Sequence, residues 1–249
     1  MEKKPEINSE EFYNQLLDSA EFYLKYSGLS HIPKNLIQPR DSLSHDMLPE
    51  PDSIKKAFPE ACFSNKSLDF VKSEAMSCTS CRLHEFRKNV VFESGNRNKP
   101  LIAFVGEGPG EDEDIQGVPF VGKAGELLTA AITKGLKLKR EDVYICNVIK
   151  CRPPKNRAPL PDEVEACFRF LEKQLETVLP KVIVTLGGPA QKALIGRDEG
   201  ITKLRGRWCE WRGIKVMPTV HPAYVLRKPE AKKDFWADLQ LVMKELNLS

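Results

Sequence analysis

Residues 101–132 read LIAFVGEGPGEDEDIQGVPFVGKAGELLTAAI. The first five form an unbroken apolar run, the length and character of a strand buried on both faces. A glycine-rich turn follows, and 124–132 resumes with apolar residues at helical spacing. The same alternation recurs downstream. Residues 143–149 (VYICNVI), 181–186 (KVIVTL) and 214–220 are further strand runs, and helices are expected over 162–178, 189–194 and 231–246. Strands alternating with helices predict an α/β fold with a parallel sheet covered on both faces, because parallel neighbours need a crossover between them. Ligands in such folds bind beyond the carboxyl ends of the strands. Three of these runs end directly in unusual polar sequence.

Upstream, residues 8–28 place Phe12, Leu16, Leu17, Ala20, Tyr23 and Leu24 at helical spacing, with Gly28 as a stop. From 29 to 65 the chain is rich in Pro, Ser and Asp and reads as a linker. The expected organisation is therefore a helix and linker over 1–69 and one α/β domain over 70–249. The helix is either a weakly attached extension or a docking segment for a protein partner.

The chain has 249 residues, 41% hydrophobic, enough for one sizeable core. No apolar run is long enough for a membrane span, and the N-terminus lacks a secretory apolar region. The cytosol is the expected compartment, and a monomer suffices. The net charge of +3 is uneven: residues 1–70 hold 8 Lys+Arg against 12 Asp+Glu, which leaves the remainder at +7. A basic body suits a polyanionic partner.

Seven cysteines, an odd number without an export signal, argue against a disulfide framework. Cys78 and Cys81 form a C-x-x-C, while Cys151 follows a strand and Cys167 lies in the next helix. Four such thiolates suit either Zn²⁺ or an iron–sulfur cluster, and the spacing does not separate the two. Cys62, Cys146 and Cys209 read as ordinary cysteines.

In the turn after the first strand, Glu107, Glu111, Asp112, Glu113 and Asp114 crowd five carboxylates together. That density disfavours a phosphate cradle, and neither the P-loop nor the dinucleotide-binding spacing is met. Carboxylates there suit water activation or stabilisation of a cationic transition state. The bland alternative is an acidic helix cap. Phe120, set between turn residues, is either a stacking platform for a flat ligand or a loop anchor. Asn147, at a strand end, offers a donor beside an acceptor, the pattern that matches the edge of uracil and rejects cytosine. Arg152, Lys155 and Arg157 follow as candidate phosphate contacts. His221 ends the fourth strand run, and Tyr224, Leu226 and Arg227 after it could form a wedge and a phosphate contact.

Together GEGPGEDED, VPFVGKAGELL, NVIKCRPP and HPAYVLR, in that order and with C-x-x-C upstream, resemble the family 4 uracil-DNA glycosylases over roughly residues 75–245. The resemblance implies a three-layer α/β/α sandwich with a four-stranded parallel sheet. It implies a structural [4Fe–4S] cluster held by Cys78, Cys81, Cys151 and Cys167. It also implies a pocket in which Glu107, Glu113 and His221 are catalytic and Gly108, Phe120 and Asn147 bind the base. The expected activity is hydrolysis of the N-glycosidic bond of uracil in DNA, leaving an abasic site. No Lys/Arg–His insertion lies between Gly110 and Phe120 or just after Phe120, which favours turnover over covalent trapping. Two readings compete with this one: a uracil-DNA binder without turnover, and a zinc-stapled nucleotide-binding scaffold.

Overall fold

A computed structural model describes residues 65–197 and 199–248. The helix expected over 8–28, Cys62, and the linker expected over 29–65, except its last residue, lie outside the described residues. The chain enters with α1 (Asn65–Met76), which crosses the boundary expected at residue 70. Leu68, Val71 and Ala75 of this helix are buried against Phe170 and Leu171.

Six strands make one sheet: β1 (Ser94–Gly95), β2 (Ile102–Gly106), β3 (Tyr144–Asn147), β4 (Val182–Leu186), β5 (Cys209–Trp211) and β6 (Ile214–Thr219), in the order β1-β3-β2-β4-β6-β5. The four central strands run parallel, as the alternation predicts. The expectation of four strands is corrected to six, because β1 and β5 add antiparallel edges. These are only two and three residues long, too short to show a period of two.

Every residue of β2 is buried, and the strand alternates between two cores. Ala103 and Val105 face the layer that holds α1 and the long helix α4 (Pro161–Val178). Ile102 and Phe104 face the opposite layer, which holds α3 (Lys123–Ala130) and the last helix, α8 (Lys232–Glu245). The result is the three-layer α/β/α sandwich. The acidic stretch 111–116 is not a loop but a short helix, α2 (Glu111–Gln116). Four carboxylates in its first turn favour the helix N-terminus electrostatically.

The register decides where the chemistry sits. Gly106 pairs with Asn147, and Leu186 with Thr219, so the parallel strands end together. Glu107, Asn147 and His221 therefore come to one edge of the sheet, although far apart in sequence. The helices after β4 are α5 (Gly188–Ile195) and α6 (Ile201–Leu204), and β6 leads into α7 (Pro222–Arg227). Among the described residues no helix is long and apolar enough to cross a membrane.

Candidate functional site

A cleft of about 460 Å³ lies beyond these strand ends. Glu107, Gly108, Glu113, Phe120, Asn147, Arg157, His221 and Arg227 line it, together with Pro153 and Asn156. Arg152, Lys155 and Leu226 are not part of its lining.

Asn147 is 1% exposed, and its Oδ1 has no hydrogen-bond partner among the described residues. A buried, unpaired amide oxygen is costly unless a ligand completes it. Gly106 makes this placement possible, since a Cβ there would come within 2.4 Å of Asn147 Oδ1 and 2.5 Å of Phe120 Cζ. The peptides beyond the strand ends remain tied: Val148 N–H donates to Gly106 O at 2.9 Å and Ile149 N–H to Glu107 O at 3.1 Å.

Phe120 is buried and adopts φ +55°, a left-handed conformation that costs a bulky residue energy and persists only when its surroundings impose it. Its ring lies 5.8 Å from the His221 ring, tilted by 30°. His221 caps α7, and its Nδ1 accepts the Ala223 N–H at 3.1 Å. Burial, helped by the charge of Arg227, lowers its pKa from 6.5 to about 4. The ring is thus neutral at physiological pH, and with Nδ1 accepting, its proton sits on Nε2.

The two candidate acids differ. The Glu113 carboxylate accepts three backbone N–H groups: Gly110 at 3.0 Å, Val121 at 3.1 Å and Gly122 at 3.0 Å. It ties the start of α2 to the Phe120 turn. The Glu107 side chain has no hydrogen-bond partner among the described residues, and burial raises its pKa above the ordinary 4.5.

At the rim, Arg157 is committed to an ion pair. Its guanidinium donates to both oxygens of the fully buried Glu163, at 2.8 and 2.6 Å. Arg152 Nε donates to Asn156 Oδ1 at 2.7 Å and braces its own loop. Lys155 is exposed, as are Leu226 (46%) and Arg227 on α7.

Behind β3, Cys78, Cys81, Cys151 and Cys167 line one second cavity with Ala75, Ala166 and Phe170. All four are free thiols. Hydrogen-bond donors are aimed at three of the sulfurs. Arg87 Nη1 lies 3.2 Å from Cys151 Sγ, the Lys150 backbone N–H 3.3 Å from Cys167 Sγ, and the Ser80 N–H 3.5 Å from Cys78 Sγ. Among the described residues no three His, Cys, Asp or Glu close on a single ion.

Two residues overlooked in the sequence connect these features. Lys150 is 1% exposed, and its ammonium donates to the backbone oxygen of Asn147 and to Gln174 Oε1 on α4. Arg140, in a charged stretch where basic residues are followed by acidic ones, reaches into the Phe120 turn. A lysine at a strand end and an arginine among charges carry no sequence signal that separates them from solvated side chains.

The family model for the uracil DNA glycosylase superfamily matches residues 92–240. A type-4 uracil-DNA glycosylase of Thermotoga maritima is 50% identical over 162 residues, 64% of this chain and 83% of that protein. Those of Saccharolobus solfataricus and Archaeoglobus fulgidus are each 44% identical. They cover 73% and 71% of this chain, which in turn spans 87% and 92% of theirs.

Proposed function

The chain belongs to the uracil-DNA glycosylase superfamily, among the type-4 enzymes, and from that premise we propose that it excises uracil from DNA by hydrolysing the N-glycosidic bond, leaving an abasic site for base excision repair. The observation that carries the reading is the unpartnered Oδ1 of Asn147 in the floor of the cleft, beside the Phe120 ring.

The uridine leaves the base stack, at a cost of about a few kcal/mol. Arg227, exposed on the cleft lining, and Lys155, exposed in the loop that follows Pro153, hold flanking phosphates, and Leu226 fills the space the base vacates. Arg152 and Arg157, being held within the protein, shape the rim and add positive potential. The uracil stacks on Phe120. Asn147 accepts the N3–H of the base and donates to its O4, whereas cytosine presents an acceptor and a donor at those positions. Gly108 lines the cleft, and its missing side chain leaves room for Ile149, whose Cγ1 a Cβ would meet at 2.6 Å.

As the bond from C1′ to N1 stretches, the bonding pair moves to uracil and positive charge grows on the sugar. The Nε2–H of His221 donates to the oxygen that gains negative charge. A donor fixed in advance in this way contributes about 3 kcal/mol to the transition state. Glu107 orients the attacking water and receives its proton, while the water oxygen bonds to C1′. Its burial suits that role, because a carboxylate with a raised pKa is a stronger base. Glu113, with three backbone N–H groups on its oxygens, acts by position. The strand is left intact.

The cysteine cavity fits a [4Fe–4S] cluster held by Cys78, Cys81, Cys151 and Cys167. The four thiols surround one space without converging on one ion, as a tetrahedral zinc site at about 2.3 Å per sulfur would require. N–H donors to the sulfurs suit the charge of such a cluster. When bound, it supplies a structural cross-link between α1, the end of β3 and α4.

The test is incubation of the holoprotein with a duplex containing one uracil. Free uracil with an uncut, alkali-labile strand is expected. A protein–DNA complex that survives denaturation and yields no free uracil would instead establish trapping.

A further inference from the structure

The conformation of Phe120 needs an explanation that its own sequence does not supply. Its φ of +55° is one that a bulky side chain avoids. The two torsions of a residue are set by the planes of the two peptides that flank it, and here both are held. Arg140 Nη2 donates to Pro119 O at 2.8 Å and to Phe120 O at 2.9 Å, one acceptor in each flanking peptide. The opposite end of the second peptide, the Val121 N–H, is held by Glu113. The other arm of the guanidinium, Nη1, donates to Thr129 Oγ1 on α3 at 2.7 Å, which anchors the fork to a rigid helix. Gly125 completes the seat, for a Cβ there would fall 1.9 Å from Phe120 O.

We propose that Arg140 is a positioning residue for base recognition, whose guanidinium clamps both peptides around Phe120 and so aims the stacking ring into the cleft. Only a planar fork with several fixed donors can span two carbonyls and a hydroxyl at once, which is why arginine rather than lysine occupies the position. Arg140 does not line the cleft, so it acts through Phe120 and not on the base. The inference rests on the uracil-excision reading, which makes the ring a stacking surface.

A double-mutant cycle on single-turnover uracil release from a one-uracil duplex tests it, with each holoprotein's melting temperature measured alongside. Arg140→Ala is expected to slow release roughly 10-fold to 100-fold, the scale of a misplacement of about 1 Å in a binding group. In a Phe120→Leu background, where no aromatic ring remains to be aimed, the same replacement is expected to change the rate by less than about threefold. Arg140→Lys, which keeps the charge but gathers its donors on one nitrogen, should recover part of the loss only when Phe120 is present. Arg140→Met, which keeps the buried stem, takes the place of Arg140→Ala if that variant does not fold. Equal fold losses in the two backgrounds, from a wild-type protein that releases uracil, would overturn the role of Arg140 alone. A wild-type protein that releases none would overturn the excision reading, and this inference with it.

Discussion

His221 Nδ1 accepts the backbone N–H of Ala223 at 3.1 Å, two residues along the same chain. That bond fixes the tautomer, because a ring nitrogen that accepts cannot carry the proton. The remaining proton, on Nε2, is the only one the neutral imidazole can offer a ligand. The arrangement makes His221 a donor that requires no protonation.

His221 should therefore stay neutral well below the pH at which histidine ordinarily titrates. Its pKa, lowered by burial from 6.5 to about 4, means that between these values the unfolded chain binds a proton the folded chain does not. Stability should consequently rise with pH across that window, and His221's contribution should be lost as pH falls through it. A ring-proton NMR titration, assigned by comparison with His221→Asn, should show the ring predominantly neutral at pH 5. A midpoint near 6.5 would contradict the account. His221→Ala should slow single-turnover uracil release by about 10²-fold or more, and a near-normal rate would remove His221 from the mechanism.

Glu107 and Glu113 should separate when each is changed to Gln. Glu107 has a raised pKa, so its carboxylate opposes folding at neutral pH, where the unfolded group is already ionised. Glu107→Gln should leave the melting temperature unchanged or higher while slowing uracil release by roughly 10²-fold. Glu113→Gln weakens charge-assisted bonds to three backbone N–H groups, and should cost about 1.5–3 kcal/mol of stability. Thermal melts beside single-turnover rates check both. A destabilised Glu107→Gln with full activity would reverse the assignment.

Asn147→Asp keeps an acceptor and removes the amide donor. It should lower uracil release by about 10²-fold or more, since a site built to bond a polar edge discriminates strongly when one partner is wrong. Release of uracil and cytosine from matched duplexes is the measurement. Unchanged discrimination would separate Asn147 from base reading.

The cysteine cavity predicts a coloured protein with about four irons per chain. Cys151→Ala or Cys167→Ala should lose the absorbance and lower the melting temperature, because the proposed cluster would cross-link the end of β3 to α4 through these two residues. Iron and zinc analysis of the purified protein is decisive. One zinc and no iron would overturn the cluster.

Much of the fold could be read from patterns of apolar residues. Three of the four central strands, β2, β3 and β4, are apolar over most of their length and buried throughout, whereas β6 is broken by the exposed Lys215 and is apolar only in part. The edge strands Ser94–Gly95 and Cys209–Trp211 could not be read, because they are shorter than the period that would reveal them. The residue types facing the cleft were visible as polar punctuation at strand ends. Their division of labour was not. Glu107 and Glu113 are equivalent in sequence, and they are distinguished by the backbone N–H groups of Gly110, Val121 and Gly122 that bond Glu113 and by the burial that raises the pKa of Glu107. The pairing of Arg157 with the buried Glu163 has no signal in the sequence either. Arg140 and Lys150 take their meaning from backbone oxygens that only the folded chain brings to them.

The central claim is that the cleft formed by Phe120, Asn147 and His221 removes uracil and spares the normal pyrimidines. The most direct measurement is the single-turnover release of uracil, cytosine and thymine from otherwise identical duplexes by the iron-loaded protein. Complete release of uracil with no detectable release of cytosine or thymine is predicted. Absence of free uracil, or comparable release of all three bases, would contradict it.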